Sequence, residues 1–222
     1  MEELRSFLQG RGAKLVGFAD LREFAQSYPF GVALALPLPK GVLRGIEGGP
    51  KRDYFEAYHA LNAELDGLAL AGEAFLREKG NKAFAQTVER VVESEDYRSE
   101  MPHKTVATRA GLGWIGKSAL LVTREFGPAL RLSSILTDAP LDCAKPSDVS
   151  LCGECAACQA GCPAGAILGE NWQRCLERKG LVDVFRCREY ARALAKERLG
   201  EAITLCGKCI AACPYARAYL AG

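Results

Sequence analysis

No long apolar run, no strong charge of either sign and no cysteine before residue 143 appear in this 222-residue sequence. Each absence excludes something. Lys+Arg 29 against Asp+Glu 27 leaves a formal charge of +2, which carries no preference for nucleic acid or anionic membrane. The longest apolar run, Val32 to Leu38, is too short to span a bilayer and contains Pro37. Met1-Glu2-Glu3-Leu4-Arg5 lacks the basic stretch and apolar segment of a secretory signal. A soluble cytoplasmic protein with no membrane partner is expected. Gly41 to Gly49 has neither the GxGxxG nor the GxxxxGK[ST] order, so it reads as a surface loop rather than a phosphate cradle. With 49% apolar and 25% charged residues, the chain can bury a core in one large domain or two modest ones.

Periodicity gives the elements. Leu4, Phe7 and Leu8 mark a first helix, and Lys14 to Ala19 a buried strand. Asp20 to Gln26 reads as a helical turn and Gly31 to Leu36 as a second strand. The longest helix is expected over Asp53 to Lys79, capped by Asp53 and ended by Gly80. His59, on that helix, reads as a polar surface or satisfied histidine. A strand follows around Ala83–Val88, then a charged loop over Glu93–Glu100, then a short helix opened by Pro102 and closed by Gly111. Ala119–Thr123 and Arg131–Thr137 read as strands joined by a hairpin-length turn. This mixed order predicts an α+β domain over residues 1–140. Composition shifts at Ala139-Pro140, and residues 141–222 form a second, cysteine-rich domain with helices at Asn171–Arg178 and Val184–Leu199.

All ten cysteines lie in that second part. In a reducing compartment, metal ligation explains them better than disulfides. Cys152-x2-Cys155-x2-Cys158-x3-Cys162-Pro163 is the bacterial ferredoxin run, and Cys206-x2-Cys209-x3-Cys213-Pro214 is a shorter second run. Zinc sites usually show paired CxxC motifs across a spacer and fit less well. The two-cluster rule sends the last cysteine of each run to the other cube, so two [4Fe-4S] clusters share one ferredoxin-like domain with a helical insertion. Cluster A takes Cys152, Cys155, Cys158 and Cys213. Cluster B takes Cys162, Cys206 and Cys209, with Cys143, Cys175 or Cys187 as its fourth ligand. Four thiolates saturate a cube, so both clusters move single electrons and leave no iron open to substrate.

Ala110-Gly-Leu-Gly-Trp-Ile-Gly-Lys117 and Cys162-Pro-Ala-Gly-Ala-Ile167, with Leu15–Ala19, Arg52-Asp-Tyr54 and Leu132–Thr137, make the sequence resemble the epoxyqueuosine reductase family. The resemblance implies a catalytic α+β domain, a two-cubane domain and cobalamin bound between them. It implies a corrinoid site at Gly113, Trp114, Gly116, Lys117, Ser118, Ser134 and Gly207. It also assigns the fourth ligand of cluster B to Cys175, with Trp172 and Leu176 covering that cube and Cys143 and Cys187 spare. The departures are specific. The family's catalytic aspartate position is Ser99, which leaves Glu100 or His103 as the proton donor. Phe55 and Ser118 replace a histidine and an asparagine, and no C-terminal helical-repeat domain follows Gly222.

Two functions compete. One is a cobalamin-dependent oxidoreductase that receives electrons from a donor such as ferredoxin or flavodoxin and acts on a small-molecule or corrinoid-protein substrate. Tight tRNA binding is not expected at this charge. The other is an electron-transfer protein or reductive activator that docks on a partner and binds only its clusters.

Overall fold

Continuous burial of one strand organises the first half of the chain. The computed structural model describes residues 2–24 and 27–222. The elements are α1 (Glu2–Gly10), β1 (Leu15–Asp20), β2 (Phe30–Pro37), α2 (Lys40–Gly45), α3 (Arg52–Glu78), β3 (Ala83–Ala85), α4 (His103–Arg109), β4 (Trp114–Ile115), β5 (Leu121–Val122), β6 (Leu130–Thr137), α5 (Ala157–Ala160), α6 (Val184–Leu199), α7 (Lys208–Ala212) and α8 (Pro214–Ala221). Four strands form a sheet in the order β1-β2-β6-β3. β1 pairs antiparallel with β2, Leu15 opposite Ala35, and β3 antiparallel with β6, Ala83 opposite Thr137. Gly31 through Leu36 are all buried, the mark of a strand covered on both faces.

The chain divides into two units. The first is Met1–Pro37, Ala60–Gly113 and Arg131–Ser147; the second is Leu38–His59, Trp114–Leu130 and Asp148–Gly222. Segments on both sides of residue 140 thus contribute to each unit, in an interleaved order. The cysteine-rich tail is too small to supply a core alone, and its unit incorporates two earlier segments that bring Leu43, Ile46, Tyr54, Trp114, Leu121 and Val122, all buried.

In the first unit, Leu4 and Leu8 of α1 and Leu65, Leu68, Ala69 and Leu76 of α3 pack with Val16, Phe18, Val32, Leu34, Leu36 and Ile135 of the sheet. Gly72 lets α3 approach: a Cβ there would lie 2.4 Å from Ile135 Cδ1. On other strand positions, a Cβ at Gly31 would meet Val106 of α4, and one at Gly17 would meet Ala110 and Leu112. α3 begins at Arg52, so Asp53 lies in its first turn, where Oδ1 accepts from Tyr54 N at 2.7 Å. Gly80, at φ 84°, follows its end. Residues 25 and 26, the end of the expected turn after Asp20, lie outside the described residues; Arg22–Phe24 is a single 3-10 turn.

Three expectations change in the second unit. The segment read as a loop, Gly41 to Gly49, contains α2 and a 3-10 turn at Ile46–Gly48, because buried Leu43 and Ile46 anchor it and Leu43 N donates to Pro39 O at 3.0 Å. β5 pairs with β4, not with β6; Thr123 and Gly127 close the turn after it, and β6 enters the large sheet. Residues 171–178 are not an α-helix. Their polar groups pair instead with 148–153: Ser150 N donates to Trp172 O at 2.7 Å, Arg174 N to Asp148 O at 2.8 Å, and Asn171 Nδ2 to Gly153 O at 2.9 Å. α6 does form over the expected range, capped by Asp183 Oδ1 accepting from Arg186 N and ended by Gly200 at φ 81°. Among the described residues no helix is long and apolar enough to cross a membrane.

Candidate metal centre

Short turns and helix ends place the thiols. Cys155 N donates to Cys152 O at 3.1 Å, α5 carries Cys158, and Cys162 N returns to Gln159 O at 3.1 Å. Cys213 caps α8, with Pro214 in the first helical position, where a missing N–H costs nothing. Burial pushes the Cys158 thiol up to about 11, helped by Cys152, Cys213 and Cys155. Burial likewise raises Cys213, opposed by the Ala216 and Tyr215 N–H groups that bond its sulfur, with Cys152 and Cys155 adding to the rise. Cys152, Cys155, Cys158 and Cys213 are thus neighbours, the set assigned above to cluster A.

The second group is Cys162, Cys187, Cys206 and Cys209. Burial raises Cys187, and Cys162 and Cys206 add to it. Burial drives Cys209 well above the thiol range, reinforced by Cys187, Cys206, Cys158 and Cys162. Burial also raises Cys206, against the Lys208 N–H and ammonium. Cys175 is exposed and none of these groups feels it. The eighth thiol in the structure is therefore Cys187, in the first turn of α6, and not Cys175. Arg174-Cys175 and Arg186-Cys187 look alike locally; only the helical phase of α6 separates them. With 171–178 in turns rather than an α-helix, Leu176 packs on Gly180. Cys143 belongs to the first unit, packed on its core, with its thiol near Asp20 and Arg22.

The donor set fits two cubanes. Buried thiols that raise one another's pKa resist ionising until a cationic core takes the protons' place. Among the described residues no three His, Cys, Asp or Glu side chains close tightly enough around a single ion. A cubane instead places each thiolate on its own iron, around a cluster. Cys158 and Cys209 feel each other, so the two groups adjoin.

The Trp114–Lys117 turn borders the first group. A Cβ at Gly116 would lie 2.8 Å from Val122 Cγ2 and 3.5 Å from Cys152 Sγ. Trp114 meets Tyr215 edge-on at 5.1 Å, and its indole nitrogen is buried without a partner. Lys117 is 7% exposed. Ala119, at φ 57°, completes the turn by donating to Gly116 O at 2.8 Å. Gly207, at φ 83°, precedes α7 and would drive a Cβ to 2.9 Å from Ile46 and 3.0 Å from Tyr54. Gly127, which sequence reasoning missed, has φ 57° and room for no Cβ: Ala216 N would be 2.5 Å away. Of the other residues assigned to a corrinoid, Ser118 is half-buried in the second unit, while Gly113 and Ser134 are buried in the first.

The first unit holds a cleft of about 320 Å³ lined by Tyr28, Phe84, Gln86, Arg90, Ser99 and Glu100 among others. Behind it, Gln86 Nε2 donates to Ser134 Oγ at 2.6 Å, and that hydroxyl lies 2.9 Å from His103 Nδ1. Burial, then the Arg131 charge, pushes His103 down from 6.5 to about 4. It is neutral at physiological pH and cannot act there as a cationic acid, which leaves Glu100 from the expected pair. The sign follows: between pH 6.5 and about 4 the unfolded chain binds the extra proton, so stability falls as pH drops through that window. His103→Asn should flatten this slope, removing roughly 2–3 kcal/mol of acid sensitivity in melts across the window. An unchanged slope would show that other groups carry it.

Residues 151–216 match the family model of the 4Fe-4S double cluster binding domain. An epoxyqueuosine reductase from Listeria monocytogenes is 35% identical over 123 residues, 54% of this chain and 31% of that protein. The chain thus spans less than half the length of that curated relative. A reductive dehalogenase structure linked to B12-dependent dehalogenation superposes with TM-score 0.72 at 19% identity, covering 96% of this chain and 31% of that one. An epoxyqueuosine reductase solved with an epoxyqueuosine-modified tRNA-Tyr stem loop gives TM-score 0.62 at 21% identity, covering 97% and 65%. The two structures establish the shared α+β fold. The chain is thus similar to the epoxyqueuosine reductases over 54% of its length and, over residues 151–216, to the 4Fe-4S double cluster binding domain.

Proposed function

We propose that this protein is an iron–sulfur oxidoreductase that handles electrons one at a time and delivers them to a corrinoid. The observation that carries the redox reading is the pair of four-thiol groups meeting at Cys158 and Cys209. When bound there, two cubanes supply one-electron transfer. Cys152, Cys155, Cys158 and Cys213 would hold one, and Cys162, Cys187, Cys206 and Cys209 the other. The fold shared with a B12-dependent dehalogenase and with epoxyqueuosine reductase supports the corrinoid. In the first unit, Glu100 beside Ser99 offers a proton to a substrate in the cleft, and the Gln86–Ser134–His103 chain holds the wall behind it. A small reducible molecule is the substrate class, and a ferredoxin or flavodoxin the electron source. A formal charge of +2 supports no tight grip on tRNA.

A second reading has its own observation. The spaces beside Gly116 and Gly207 are filled by this chain's Val122, Cys152, Ile46 and Tyr54, so these glycines serve its own packing rather than a flat ring. That favours an electron-transfer protein or reductive activator without a corrinoid. Titrating the anaerobically purified, iron-loaded protein with cobalamin separates the two. A saturable change in the corrin spectrum supports the first reading; none, under reducing conditions, leaves the second.

A further inference from the structure

One turn holds a buried donor without an acceptor and, beside it, a nearly buried cation. Trp114 Nε1 has no hydrogen-bond partner, and its residue is 2% exposed. Three residues on, Lys117 is 7% exposed. Leaving the indole N–H buried and unsatisfied costs about 1–3 kcal/mol. Gly116 lies between them, and a Cβ built on it would come to 3.5 Å from Cys152 Sγ. Trp114 also packs on Tyr215, the residue whose N–H bonds Cys213 Sγ. The turn therefore lies beside two of the thiols assigned to cluster A.

We propose that the Trp114 indole N–H and the Lys117 ammonium are donors to the sulfur shell of cluster A and raise its potential above that of cluster B. This rests on the two-cubane reading. Reduction adds one negative charge to a cluster, so a hydrogen bond or cation at its sulfurs stabilises the reduced form and makes reduction easier.

The test is an anaerobic redox titration of the full iron-loaded chain, followed by electron paramagnetic resonance, with iron and sulfide counted on each sample. Trp114→Phe and Lys117→Met should each move one and the same reduction step to more negative potential and leave the other step in place. At fixed ambient potential the reduced-to-oxidised ratio of that cluster should fall roughly tenfold, the size of one charge-assisted hydrogen bond. Lys117→Arg should restore most of the shift, which a merely structural role would not do. Unchanged steps at full iron content overturn the proposal, as does a shift in different steps for the two variants. Wild-type protein without the iron and sulfide of two cubanes contradicts the two-cubane reading itself, a separate outcome.

Discussion

Cys187→Ala halves the iron content, from about eight to about four per chain, while Cys175→Ala leaves it unchanged. Cys187 is half-buried among Cys162, Cys206 and Cys209, and its loss leaves one cube with three thiolates and an open iron. Cys175 is exposed in a turn tied to 148–153, and it affects none of the group's thiols. Iron and acid-labile sulfide assays on anaerobically prepared variants check this. Full iron in the Cys187 variant, with half in the Cys175 variant, would restore the assignment implied by family resemblance. Cys143→Ala should also keep all the iron, because its thiol is packed in the first unit beside Asp20 and Arg22.

Gly127→Ala should be the most damaging substitution that touches no ligand. Its φ of 57° strains any L side chain, and its Cβ would sit 2.5 Å from Ala216 N and 2.8 Å from Tyr215 C. These are backbone atoms of the helix that Cys213 caps, so they cannot swing aside. Strain and overpacking together cost about 2–4 kcal/mol. The same N–H groups of Tyr215 and Ala216 bond Cys213 Sγ, so the damage reaches cluster A. The apparent melting point should drop by about 6–12 °C, and cluster A should bleach first in air. Gly200→Ala provides the control: its φ is 81° with nothing within 4 Å of the added carbon, so it should cost only about 1 kcal/mol. Equal losses at the two positions would mean that backbone conformation alone decides, and that the Gly127 contact contributes nothing.

Local patterns made the long elements legible. α3 and α6 carry clean helical signals with a glycine just past each end, and β1, β2 and β6 are apolar runs between turn residues. The ferredoxin run identified the cluster ligands for the same reason, since its spacing is a property of a short loop. What the sequence hid depends on contacts far along the chain. β5 finds β4 rather than β6 because the turn at Gly116–Ala119 brings Trp114 opposite Val122. Residues 171–178 have a helical composition, yet partners at 148–153 take their backbone groups. Family resemblance points to Cys175, whereas the thiol beside Cys162, Cys206 and Cys209 is Cys187. The interleaving of the two units is hidden in the same way. Composition changes at residue 140, but the cysteine-rich unit takes its apolar contacts from 38–59 and 114–130. In the first unit, Ser134 was expected at a corrinoid; it is bonded instead within a buried Gln86–Ser134–His103 chain, which no linear spacing reveals.

Two adjoining four-thiolate groups are the central feature of the protein, and the most direct measurement is the cluster content of wild-type protein prepared without air. Iron, sulfide and zinc should be counted together, and the reduced protein examined by electron paramagnetic resonance. About eight irons and eight sulfides per chain, with signals from two interacting clusters, are the predicted result. One or two zinc ions per chain with no sulfide, or about four irons with Cys187 still open to alkylation, would contradict it.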